Sequence, residues 1–137
     1  MALPGVGGGY QVGDGNINEI QLGAIAAPAT ATSTATLTAA QLLTGMILGS
    51  PGTSAATYTL PTVTLLEATL ANATKVGASF DFNVINVNGS SSGVITIGAG
   101  TGWTIVGLAT VVATAGTAQQ FRARKTGDGA WSLYRLG

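Results

Sequence analysis

The sequence predicts an all-β protein: a β-sandwich or jelly-roll-like domain with one short helix and an extended N-terminal arm. Three observations lead there. Short alternating runs recur at about 8–12-residue spacing between Gly, Pro, Asn and Ser turn signals, the rhythm of a sandwich. Only one stretch, about residues 64–74, carries its apolar residues at convincing helical spacing. The first 30 residues are too rich in glycine to bury a core of their own. The division that follows is an arm over residues 1–30 and a β-sandwich domain over 31–137.

Within the arm, Pro4-Gly5-Val6-Gly7-Gly8-Gly9 and Gly13-Asp14-Gly15-Asn16 are turn and linker chemistry. Ile17 to Leu22 is a short candidate strand, Ile20 and Leu22 alternating with polar neighbours. Such an arm either stays loose or orders against a partner. From Ala29 to Leu37, Ala or Leu alternates with Thr or Ser, a strand with one small-residue face. Thr38 to Leu43 predicts a single helical turn, capped by Thr38 and stopped near Gly45. Met46–Leu48 and Ala56–Leu60 read as strands, separated by the turn Ser50-Pro51-Gly52.

The predicted helix begins at Thr64, whose spacing to Glu67 is that of a capping box. Leu66, Leu70 and Ala73 share its apolar face, with Lys75 and Gly77 at its end. Ser79 to Val87 then puts Phe80, Phe82 and Val84 on one side of a strand. The adjacent Val84-Ile85 breaks that phase, which predicts a bulge or burial on both faces. Further strands are predicted at Val94–Ile97, Trp103–Val106, Leu108–Val112, Gln119–Lys125 and Ala130–Leu136. The hairpin turn Thr126-Gly127-Asp128-Gly129 separates the last two.

Composition narrows the function. Only 7% of the 137 residues are charged, against about 25% in an ordinary soluble domain. Five acids balance five bases, so net charge does nothing to hold copies apart. The absence of His and Cys removes Ser-His-Asp and Cys-His catalysis, disulfides and thiolate metal sites. Glu67 is assigned to the capping box and Asp128 and Asp14 to turns, which leaves only the distant Asp81 and Glu19 as carboxylates for chemistry. The reading is a non-enzyme without cofactor or metal. Neither glycine cluster has the strand, lysine and helix of a phosphate loop. Gly98 to Ala118, the most membrane-like stretch, is interrupted by Thr and Gly, so no membrane span is expected.

Two surfaces remain. Arg122, Arg124 and Lys125 make a candidate polar docking face, read either as a solvated strand or as a patch meeting an acidic protein partner. They are too few for direct nucleic-acid binding. Tyr58, Trp103, Trp131 and Tyr134 are either a sugar-binding platform or core, and core suits the two tryptophans better.

Several runs also carry a resemblance: Leu37-Thr38-Ala39-Ala40-Gln41-Leu42-Leu43-Thr44-Gly45, Thr57-Tyr58-Thr59-Leu60-Pro61-Thr62, and Ser79-Phe80-Asp81-Phe82-Asn83-Val84-Ile85-Asn86. Gly100-Thr101-Gly102-Trp103-Thr104 and Phe121-Arg122-Ala123-Arg124, followed by Trp131-Ser132-Leu133-Tyr134-Arg135, complete the set. Over roughly residues 30 to 137 the chain resembles small virion proteins of tailed bacteriophages, especially head decoration (cement) proteins. The resemblance implies a structural subunit, commonly a homotrimer, made in the host cytoplasm and seated on the outer surface of the capsid. There it would bind the assembled major capsid protein and brace the shell against internal DNA pressure. The arm would grip a neighbour by strand addition, with Tyr10, Ile17, Ile20 and Leu22 as candidate capsid contacts. Related patterns in phage tails and fibres give the alternative, a receptor- or glycan-binding module.

Overall fold

The computed structural model describes residues 22–70 and 75–137. Within them the protein is mostly β, with two mixed sheets and two short helices. The strands are β1 (Ala29–Ala31), β2 (Ala35–Thr36), β3 (Met46–Gly49), β4 (Ala56–Thr59), β5 (Ser79–Asn86), β6 (Ile95–Gly98), β7 (Trp103–Val106), β8 (Thr110–Val111), β9 (Thr117–Gly127) and β10 (Ala130–Leu136). The helices are α1 (Ala39–Leu42) and α2 (Val63–Thr69). One sheet has six strands in the order β1-β3-β5-β9-β10-β7, the other four in the order β2-β4-β6-β8.

From β1 to β6 the chain alternates between the two sheets, and each strand pairs in parallel with the one two places earlier in sequence. Residues 29–98 therefore wind through three stacked turns, with odd strands in one sheet and even strands in the other. The single strand expected over 29–37 is split between sheets, and Thr32–Thr34 form the corner between its halves. Its small residues suit a tight corner, and Leu37 beyond it reaches the core at 2% exposure. The antiparallel neighbours that rule a jelly roll occur, among the described residues, only where β9 and β8 join the winding and in the β9–β10 hairpin.

α1 and α2 occupy equivalent corners, each leading from the end of an even strand to the start of the next odd strand. They pack on each other. Thr38 caps α1 as predicted, and its hydroxyl accepts from the Gln41 amide while Gln41 Oε1 accepts from the Thr38 amide. The α2 cap is Thr62, not Thr64. Its hydroxyl accepts from the Leu65 amide at 3.3 Å, so the helix starts earlier than the Thr64–Glu67 spacing suggested and frees Glu67 for a tertiary partner.

In the third turn, Gly100 replaces the corner helix. A Cβ at Gly100 would strike the Leu60 and Pro61 carbonyls of the turn below, and one at Gly93 would strike Gly52, so glycine permits the close stacking. β5 keeps its alternation without a register shift: Val84 and Asn86 are buried and Ile85 is half-buried on the outer face. Burial on both faces, not a bulge, explains the Val84-Ile85 pair.

The core is one cluster drawn from the inner faces of both sheets and both helices. Phe82 and Phe121 stack across β5 and β9, their centroids 5.6 Å apart, and Trp131 meets Phe80 and Trp103 at 5.9 Å each. The indole N–H of Trp103 donates to the Pro61 carbonyl at 2.7 Å and that of Trp131 to Glu67 at 3.0 Å. Two C-terminal strands thus fasten the α2 corner of the second turn. Among the described residues, no helix is long and apolar enough to cross a membrane.

Candidate interaction surfaces

The alternation of β9 divides the predicted docking face. Phe121, Ala123 and Lys125 point inward, while Arg122 and Arg124 point outward. Lys125 is therefore not part of that face. It is 6% exposed, and its ammonium lies 2.8 Å from Glu67 Oε1, beside the Trp131 indole. Hydrogen bonds from Lys125 and then Trp131 hold the Glu67 carboxyl below its usual range. The ion pair is a structural tie between α2 and the six-stranded sheet, and the capping-box spacing concealed it.

On the outer face, β5 and β9 place Asp81 opposite Arg122. Arg122 donates from Nε to Oδ1 at 2.8 Å and from Nη2 to Oδ2 at 3.0 Å, the bidentate geometry that favours this pair. These bonds hold Asp81 below the usual carboxylate range, so it stays ionised and is a poor proton donor at neutral pH. Asp81, which sequence left without a role, is thus a cross-strand partner. The pair also cancels one of the two outward arginine charges of the expected patch, leaving Arg124 opposite Ser79 and Ser132. Tyr134 sits opposite Arg122, half-buried.

The aromatic residues divide as burial statistics suggest. Tyr58 is 0% exposed and donates its hydroxyl to the Ala31 carbonyl at 2.9 Å, and burial pushes its pKa up. Trp103 and Trp131 belong to the core. Among the described residues, no group of three or more acidic, His or Cys side chains is placed to hold a metal. Every buried side-chain polar atom there has a partner, so none is left aimed at a ligand.

Two exposed apolar regions bear on contact with other chains. Leu22 to Pro28 is exposed at every position, with Leu22 at 91% and Ile25 at 85%. Tyr10, Ile17 and Ile20, the other predicted arm contacts, lie outside the described residues. Beside the helices, Thr36, Leu37, Ala39, Pro61, Leu65 and Ala68 line a shallow groove of about 500 Å³, in which Leu65 is 60% exposed. Comparison with family models, with characterised proteins and with solved structures finds no match. Leu65 and Ile25 were not singled out in sequence. The signal was there for Leu65: it falls off the Leu66–Leu70 stripe of its helix, and a leucine off the stripe must face outward.

Proposed function

We propose that the chain is a structural virion subunit, a capsid decoration protein that binds the assembled major capsid protein shell of a tailed bacteriophage and stabilises it as a homo-oligomer, with a trimer favoured. The observation that carries this reading is an exterior short of charge, with a fully exposed apolar segment, Leu22–Pro28, and an apolar helix groove at one end. Surfaces of that kind are built for contact with other subunits. The two facing sheets are read as a β-sandwich, a rigid brick suited to bracing. Binding the assembled shell and not its free subunits stabilises the shell by mass action, with no chemistry required. Asp81, one of the two carboxylates that the sequence left for chemistry, is engaged by Arg122, and Glu67 by Lys125; the other, Glu19, lies outside the described residues.

The test compares particles with and without this protein under heat and osmotic shock. Decorated particles should release DNA at higher temperature, and equal stability would sink the reading. Tyr134 beside the Asp81–Arg122 pair on the open sheet face favours the second reading, a receptor- or glycan-binding module of a tail or fibre. Glycan-array binding lost on Tyr134→Ala would establish it.

A further inference from the structure

We propose that the groove between α1 and α2 is the socket for the Leu22–Pro28 segment of a second copy, so that copies join arm into groove. This rests on the homo-oligomer reading and names its contact.

The placement follows from the winding. β1, β3 and β5 run parallel, and α1 and α2 lead into the starts of β3 and β5. The chain enters β1 at its start as well, so Leu22–Pro28 leaves the fold at the end that carries the helices. The chemistry matches too. The segment reads Leu-Gly-Ala-Ile-Ala-Ala-Pro and carries no charge, and no charged residue lines the groove. Leu22 and Ile25 are the two most exposed large apolar side chains of the described residues, and Leu65 on the groove wall follows Leu108 among the rest. A volume of about 500 Å³ suits a pair of aliphatic side chains.

The occupant is a second copy, because within one chain the segment stands clear of its own groove, exposed throughout. Arm and groove are different patches, so the contact is heterologous. Such a contact repeats until it closes into a ring or runs on as a filament. A trimer is a small closed form of that rule.

The cysteine-free chain allows a clean test. In the double variant Ile25→Cys/Leu65→Cys, oxidation should give disulfide-linked oligomers on a non-reducing gel. A linked monomer, which means the segment occupies its own groove, would overturn the proposal, as would the absence of any link. Independently, Leu22→Asp/Ile25→Asp and Leu65→Asp should each weaken self-association about a hundredfold in analytical ultracentrifugation, with an unchanged far-ultraviolet circular dichroism spectrum. Mixing the two variants should restore a one-to-one dimer, since one supplies an intact groove and the other an intact arm; no dimer on mixing contradicts the contact. Shell binding is measured in parallel. Wild-type oligomers that ignore the shell defeat the decoration reading alone, whereas Asp variants that still self-associate defeat this one alone.

Discussion

The three-turn winding of residues 29–98 and the C-terminal strands of residues 103–137 solve the same problem by different means. In the winding, every strand but β5 is short, neighbours are parallel, and each turn rests on the next through small residues and glycine corners. In the C-terminal part, the long strands β9 and β10 are antiparallel and joined by a tight turn. They carry both core tryptophan hydrogen bonds together with β7, and they hold four of the five basic residues. The winding thus supplies an almost uncharged body, and the C-terminal strands supply the bulky residues that tie it together.

The largest effect should come from breaking that tie. Trp131→Ala removes a 1% exposed side chain packed on Phe80 and Trp103 and leaves Glu67 without one of its donors. It should cost about 3–5 kcal/mol in denaturant unfolding, and a loss below 1 kcal/mol would show that the winding stands without the C-terminal strands. Gly100→Ala tests the other half, since its Cβ meets the Leu60 and Pro61 carbonyls. A cost of about 1–3 kcal/mol is expected, and a neutral result would mean that the turns are not in close contact at that corner.

Glu67→Gln keeps an acceptor for the Trp131 indole but removes the anion beside Lys125. It should destabilise by about 1–2 kcal/mol, read as a shift in the denaturation midpoint at unchanged m-value. An increase in stability would overturn the role given to the ion pair.

The smallest effect is that of pH. Glu67 and Asp81 are held low, so their contribution is present above about pH 4 and is lost as pH falls through their folded values. Tyr58 is raised, so its contribution is complete below about pH 10 and is lost as pH rises through its folded value. With no histidine, melting temperature should be flat between about pH 5 and 8. A step near pH 6 would contradict this.

The sites were less legible than the strands. That Arg122 and Arg124 share a face opposite Phe121 and Ala123 was readable from period two, but the same rule turns Lys125 inward, and its grouping with them by proximity in sequence was wrong. Glu67 looked satisfied by a local motif because a capping box is short-range; which threonine caps the helix was decided by where the chain leaves β4. The partners of Asp81 and Glu67 lie some forty to sixty residues away, and nothing local points to them.

By itself the sequence determined the β class, most strand positions, the Thr38 cap and the closing hairpin. Each depends on alternation, a capping residue or a turn dipeptide, and such signals act within a few residues. Only the tertiary structure decided that neighbours in the first half run parallel, that residues 29–37 split between sheets, and that Leu65 lines an exposed apolar groove beside the helices. A strand's side-chain period is the same whichever direction its neighbour runs, so pairing is settled by which faces can bury each other once the whole chain is wound.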